Sequence, residues 1–553
     1  MWEKTGFDFN RDDFKRKTEN RLILWNRERF ILRLWEKDPS LWVDSFNKEI
    51  PDRLGWLTAP KTAEKELSEI EEIHKIINEA DISHIVLLGM GGSSLAAQML
   101  YKTLDRKASY PDLFVLSSTH PAAVREIENN IDPKKSVFIV SSKSGTTLET
   151  LSFFRYFWSL VSRSTSDVGR HFIAVTDFRS NLDQLAQERS FLEIFHAPPD
   201  IGGRFSAFTF FGTVPPFLGG ADLKNLITYA LKEKKNNEPS VPEQGADGIV
   251  LGALLGEMAL AGKDKLTFIT VPSLAYFPYW LEQLIAESLG KKGKGIIPVV
   301  DEPLVPINCY GNDRVFINIT FGGNDQRGNR QFINTLISRG FPVLGFNLEN
   351  KFSLGRELYR WELAVSAAGA VLGVNPFNQP DVQRSKEFTR KAMEKDTAET
   401  ISGIKSFSID DKEEVRKAIR EIFQKAEEDH YFSFQAYLHQ TSELDRVLQE
   451  IRSLIVKKTG LATTLGYGPS FLHSSGQLHK GGPDLGFFIQ IVDNTEFDLS
   501  VPETEYSFLS MIRAQADGDY QALQEKGRKV IRINFEDFVE TAAQTLLDII
   551  QNL

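Results

Sequence analysis

Ser136-Val137-Phe138-Ile139-Val140 leads into Ser141-Ser142-Lys143-Ser144-Gly145-Thr146-Thr147 and then Leu148-Glu149-Thr150-Leu151. The first run is β-branched and aromatic, which reads as a buried strand. The last reads as the first turn of a helix. Between them lies a loop rich in hydroxyls. A helix start offers unpaired N–H groups, and Ser and Thr add neutral donors, so a strand, such a loop and a helix together predict an anion site. Lys143 adds a positive charge nearby, and a phosphate monoester is the natural ligand.

Upstream, Ile85-Val86-Leu87-Leu88-Gly89-Met90-Gly91-Gly92-Ser93-Ser94-Leu95-Ala96 repeats the plan as strand, glycine-rich turn and helix start. The glycines let the backbone approach a ligand closely. Ser94 stands where the third glycine of a dinucleotide fingerprint belongs, and no Walker Gly-Lys-Ser/Thr occurs. Two anion loops on neighbouring strands therefore suggest a sugar phosphate rather than a nucleotide.

Strand-like runs at 84–88, 113–117, 136–140 and 171–175 alternate with helical stretches, which predicts a parallel sheet covered by helices on both faces. A second alternating unit has strands at 266–271, 315–320 and 341–346. Its loop Phe321-Gly322-Gly323-Asn324-Asp325 is placed like 142–147 in the first unit, so it reads as a second copy without the phosphate chemistry. The fold class expected is α/β. It comprises an N-terminal helical segment (1–80), two doubly wound parallel-sheet domains (81–235 and 236–400) and a helical and mixed C-terminal segment (401–553). A polar stretch at 232–245 reads as a domain boundary or a surface loop.

Composition narrows the function. The chain has 553 residues, 41% hydrophobic and 25% charged, with a formal net charge of −10. That argues against an extended nucleic-acid surface and confines any basic patch to a local pocket. Cys309 is the only cysteine, so neither an intramolecular disulfide nor a cysteine-rich zinc site is available. The N-terminal residues lack an apolar signal core, and the stretch 248–262 is too short to span a bilayer and contains Glu257. A cytoplasmic protein without nucleic-acid or membrane partners is the expectation.

Further motifs follow in order: Gly202-Gly203-Arg204-Phe205-Ser206, then Gln283-Leu284-Ile285-Ala286-Glu287-Ser288-Leu289-Gly290-Lys291, then Gln379-Pro380-Asp381-Val382-Gln383-Arg384-Ser385-Lys386. Together with the two loops they resemble the phosphoglucose isomerase family, a double-domain member of the sugar-isomerase (SIS) fold group. The tail Phe471-Leu472-His473-Ser474-Ser475-Gly476-Gln477-Leu478-His479-Lys480-Gly481-Gly482 resembles the isomerase half of bacterial chains that fuse transaldolase to this enzyme. The ~80 residues before the first motif are too few for a (β/α)₈ barrel of about 250 residues, so the chain reads as the isomerase half alone.

The resemblance implies interconversion of glucose 6-phosphate and fructose 6-phosphate through a cis-enediol(ate), with no cofactor and no metal. It assigns Glu287 as the base that moves a proton between C2 and C1. Arg204 is the permanent cation that stabilises the enediolate. Lys386 and a histidine open the ring. The family commonly carries that histidine between the glutamate and the lysine, where this chain has none. His479 is the first candidate and His473 the second. Gly92, Ser93, Ser142, Lys143, Ser144 and Thr147 are the expected phosphate ligands, and Gln283 and Gln379 the further substrate contacts. In the family the histidine segment often reaches the partner's site, which implies a homodimer, and the tail suggests a functional link to a separate transaldolase. Two other readings are a phosphoglucose/phosphomannose isomerase and a sugar-phosphate-binding regulator without catalysis.

Overall fold

The computed structural model describes residues 2, 5–43, 49–322, 327–382, 387–389, 404–536 and 538–553. Chain order gives first a two-residue strand, β1 (Asp8–Phe9), then helices Asp12–Glu28 and Ala59–Glu79. Five strands follow: β2 (His84–Gly89), β3 (Asp112–Leu116), β4 (Ser136–Ser141), β5 (Phe172–Asp177) and β6 (Glu193–Ala197). They form a parallel sheet in the order β3-β2-β4-β5-β6.

The period-2 geometry of a strand explains why these runs are apolar throughout. Val86, Leu88, Phe138, Val140, Phe172 and Ala174 join one core, while Ile85, Leu87, Val137, Ile139, Ile173 and Val175 join another on the opposite face. A sheet covered on both sides has no polar face, so its strands lose the alternating pattern.

The second sheet contains β7 (Lys265–Thr270), β8 (Ile297–Val299), β9 (Arg314–Phe321) and β10 (Val343–Leu348), in the order β8-β7-β9-β10, with β1 antiparallel on β10. Its four parallel strands are wound as β2 to β5 are: the first strand has the second on one side and the next two on the other. The α/β class with doubly wound parallel sheets stands.

The C-terminal stretch 401–553, expected to be helical and mixed, holds a third parallel sheet. It consists of β11 (Ser406–Ser408), β12 (Tyr431–Tyr437), β13 (Ala462–Tyr467), β14 (Gly486–Asp493) and β15 (Lys529–Phe535), in the order β13-β12-β14-β15-β11. Strands β12 to β15 repeat the same winding. Charged helices Lys412–Lys425 and Ser442–Thr459 dominate the composition here and conceal the strands between them. One face of this sheet, with Phe432, Phe434, Ile489, Ile491, Ile531 and Ile533, packs in an apolar core. The neighbouring positions Ser433, Gln435 and Gln490 are also buried, so polar side chains lie inside on the other face.

The three units are knitted together. Leu499, Val501, Phe508 and Met511 enter the core of the first sheet, and Phe508 stacks on Phe153 at 5.9 Å. Burying one such phenyl ring is worth about 1.5–3 kcal/mol. Between the second and third sheets, the fully buried Arg314–Glu302 pair (2.8 Å) passes the second Glu302 oxygen to the Thr463 N–H at 2.7 Å. Arg452 donates to the Val300 and Thr463 carbonyls at 2.9 and 2.8 Å. These contacts hold the third sheet against the first two. Among the described residues, no helix is long and apolar enough to cross a membrane.

Candidate active site

Strands β2 and β4 are adjacent and parallel, with Gly89 opposite Ser141. The chain leaves β2 for one side of the sheet and continues through β4 to the other, so the crevice beyond their C-terminal ends is a topological switch point, where open α/β sheets bind ligands. Both anion loops open there. Gly91 has φ +54° and faces the loop bearing His473, where a Cβ would stand 2.6 Å from the His473 carbonyl oxygen. Gly92 lies against Gly203, where a Cβ would be 2.3 Å from the Gly203 carbonyl carbon. Only glycine lets these backbones meet.

A cavity of about 1600 Å³ occupies the crevice. Its wall includes Gly92, Ser93, Lys143, Ser144 and Thr147 from the two loops, and Arg204, Gln283, Glu287 and Gln379 from the later motifs. Ser142 is buried behind this wall, its hydroxyl paired with Thr147 Oγ1 at 2.9 Å. Lys143 reaches sideways: its ammonium meets Asp177 Oδ1 at 2.7 Å and the Pro198 and Pro199 carbonyls at 3.3 Å each. Lys386 lies outside the described residues.

Gln283 and Glu287 stand four residues apart on helix Phe277–Leu289 and share one face. Gln283 Nε2 donates to Glu287 Oε2 at 3.2 Å. Arg204 Nη1 meets Glu287 Oε1 at 3.0 Å, with both side chains more than nine-tenths buried. The remaining guanidinium donors reach Ser288 Oγ at 2.9 Å and the Pro376 and Asn378 carbonyls at 2.8 Å each. Every edge of the guanidinium is therefore tied. Burial pulls its pKa below the ordinary arginine value, against the pull of Glu287. Lys291 secures the same loop through the Asn375 carbonyl at 2.6 Å, and burial pushes its amine well below the ordinary lysine value.

The structure places the two histidine candidates apart. His479 is buried away from the cavity wall, with its ring nitrogens 3.4 Å from Ser433 Oγ and 3.3 Å from Gln435 Nε2. Its ring lies against Phe488 at 5.1 Å. Burial, then the nearby Lys480 and Arg528, push it well below the usual histidine range. His473 lines the cavity instead. Its Nε2 is 3.0 Å from Glu149 Oε1, and its carbonyl accepts from Gln283 Nε2 at 2.8 Å. Gln515 Nε2 donates to the same Glu149 oxygen at 2.8 Å, and Thr119 Oγ1 donates to Gln515 Oε1 at 2.8 Å. This chain of contacts orients the imidazole and joins the first sheet to the third.

Sequence reasoning missed Glu149, Gln515 and Arg53, all on the cavity wall. An acid in the first turn of a helix is ordinarily read as a partner of the helix dipole, which concealed Glu149. Gln515 carries no local signal. The Leu-His-Ser-Ser-Gly-Gln text around His473 was present but indistinguishable in kind from that around His479.

The phosphoglucose isomerase family model matches residues 69–308, which contain both loops, Arg204 and Glu287. The glucose-6-phosphate isomerase of Staphylococcus saprophyticus is 31% identical over 390 residues, covering 61% of this chain and 86% of that protein. The chain belongs to the phosphoglucose isomerase family. The glucose-6-phosphate isomerase of Leptospira biflexa is 27% identical, covering 63% of this chain and 89% of its own length. A crystal structure of the Chlamydia trachomatis glucose-6-phosphate isomerase shares the fold with a TM-score of 0.56 at 21% identity, over 68% of this chain and 85% of that one. A hypothetical protein from Thermus thermophilus does so with a TM-score of 0.58 at 21% identity, over 70% and 99%.

Proposed function

We propose that this phosphoglucose isomerase family member interconverts glucose 6-phosphate and fructose 6-phosphate by proton transfer. The observation that carries the reading is the buried Glu287–Arg204 pair on the wall of a cavity that also holds both phosphate-type loops. Glu287 takes the C2 proton of the open aldose. The electrons form the C1–C2 double bond, and charge develops on O1. As Glu287 becomes neutral, Arg204 loses its counter-ion and its full charge serves the enediolate. A proton passes from O2 to O1, and Glu287 returns its proton to C1, giving the ketose.

His473 is assigned to ring opening, moving the anomeric hydroxyl proton toward the ring oxygen, with Glu149 compensating the charge the imidazole acquires. Lys386 is assigned to the same step by resemblance alone. Ser93, Ser144, Thr147 and the N–H groups of their loops hold the phosphate. The resemblance implied that a second copy supplies the histidine. His473 reaches the cavity from the same chain, so this histidine need not come from a second copy. A link to a separate transaldolase rests on the tail motif. The presence of the base and the arginine, paired inside the cavity, favours catalysis over a binding-only role.

The test supplies fructose 6-phosphate and follows glucose 6-phosphate with a nicotinamide-linked dehydrogenase. Glu287→Gln is expected to lower kcat by about 10²–10⁴-fold, the usual contribution of a positioned base. Retained activity in the variant would remove Glu287 from its role. Inactive but folded wild-type protein would remove the function.

A further inference from the structure

Arg53 belongs to the turn Pro51–Arg53 ahead of helix Ala59–Glu79, and it lines the catalytic cavity. Its Nη1 donates to the Asp52 carbonyl at 3.0 Å and to the Pro199 carbonyl at 3.5 Å. The Pro199 carbonyl also receives Lys143 Nζ at 3.3 Å. One carbonyl therefore ties the Arg53 guanidinium to the Lys143 ammonium, and the two nitrogens stand within about 7 Å of each other. That places Arg53 beside the tip of the Lys143 side chain, on a wall shared with Ser144 and Thr147, and its charge also acts on Arg204.

The charges on the wall separate Arg53 from the rest. Lys143 is paired with Asp177 at 2.7 Å, Arg204 with Glu287 at 3.0 Å, His473 with Glu149 at 3.0 Å and Lys480 with Asp519 at 2.5 Å. Arg53 forms no ion pair among the described residues, and its guanidinium donates to backbone carbonyls. Glu49 also lines the cavity, so the wall is not uniformly basic. A phosphate monoester carries close to two negative charges near neutral pH. The hydroxyls and N–H groups of the loops supply donors without net charge, and the cation beside them is already neutralised. An arginine with uncommitted N–H groups suits a phosphate through paired, charge-assisted hydrogen bonds.

We propose that Arg53 is the cationic contact of the substrate's phosphate and sets the affinity of the site for phosphorylated sugars. The assignment rests on the isomerase reading above. It also gives the N-terminal segment, which lies outside all three sheets apart from β1, a direct part in binding.

The experiment compares wild type, Arg53→Met and Arg53→Lys with fructose 6-phosphate in the coupled assay, with thermal melts alongside. Arg53→Met is expected to raise KM about tenfold, the loss of one charge-assisted contact, while kcat stays within about twofold. Arg53→Lys, which keeps the charge but not the paired donors, is expected to recover only part of the affinity, and the melts to coincide because no ion pair among the described residues is broken. The salt dependence of kcat/KM should weaken in Arg53→Met. An unchanged KM, or a fall in kcat together with the melting temperature, overturns the proposal while leaving the isomerase reading intact. If wild type is folded but inactive, the isomerase reading fails. Calorimetric titration with inorganic phosphate then decides the point: weaker binding by Arg53→Met upholds the contact, and equal binding overturns it.

Discussion

Gly92→Ala tests whether the close meeting of two glycine loops positions the chemistry. A Cβ at Gly92 would lie 2.3 Å from the carbonyl carbon of Gly203, 2.4 Å from its oxygen and 2.7 Å from its Cα. All three are backbone atoms, so no side chain can rotate away. Ordinary contact begins near 3.4 Å, and the loops must part by about 1 Å to reach it. The Gly203 side carries Arg204, which must keep its 3.0 Å contact with Glu287. It is also tied back through Ser206 Oγ, which donates to the Gly92 carbonyl at 3.1 Å. A misplacement of about 1 Å costs on the order of 10²-fold in rate. The expected outcome is thus a hundredfold fall in kcat, with overpacking costing about 1–3 kcal/mol of stability. The control is Gly202→Ala, one residue from Gly203. Its backbone is extended (φ −73°, ψ 152°), and a Cβ there meets nothing within 4 Å. Gly202 also lines the cavity, so its Cβ meets substrate space rather than protein: the loops need not part, kcat should stay within about twofold, and any cost should fall on KM. The coupled assay gives kcat, and a circular-dichroism melt shows each variant folded. Wild-type turnover in Gly92→Ala, or an equal loss in Gly202→Ala, would refute the reasoning.

Two further outcomes follow from the histidines and from one half-buried acid. His473→Ala should lower kcat by about 10²-fold or more, because its ring serves the cavity, and should also cost some stability, because buried Glu149 loses a partner. His479→Ala should keep most of the activity but lose about 1–3 kcal/mol of stability, because Ser433 and Gln435 lose a buried partner. Assay and denaturant titration of the pair separate the roles. Burial, and then the charge of Glu69, raise the Glu66 carboxyl from an ordinary 4.5 to about 7. The folded state then holds the proton more tightly than the unfolded chain, so stability falls as pH rises between 4.5 and about 7. Glu66→Gln should remove that slope. At pH 8 it should exceed wild type by about 1–3 kcal/mol, and near pH 4 match it, as read from denaturant midpoints at each pH.

Much of the fold was written locally. Strands β2, β4, β5, β7, β9 and β10 are legible because a sheet buried on both faces demands unbroken apolar runs, and the loops after β2 and β4 are legible because their glycines and hydroxyls have few other uses at strand ends. The four-residue step from Gln283 to Glu287 likewise puts both on one helical face without any knowledge of the rest. Strands β12 and β14 escaped because Ser433, Gln435 and Gln490 interrupt their apolar pattern while still being buried. What the chain does with these pieces was not local. His473 and His479 are six residues apart, and no periodicity says which faces the cavity. The choice is made by Glu149, 324 residues from His473 in the chain, by Gln515 beside it, and by the polar face of the third sheet that encloses His479. The same holds for Arg53, whose charge matters only because folding brings Pro199 and Lys143 beside it. Residue type and spacing determine which elements form. Contacts across hundreds of residues decide which side chains the cavity receives, because those contacts depend on how the three sheets pack and not on any single stretch of sequence.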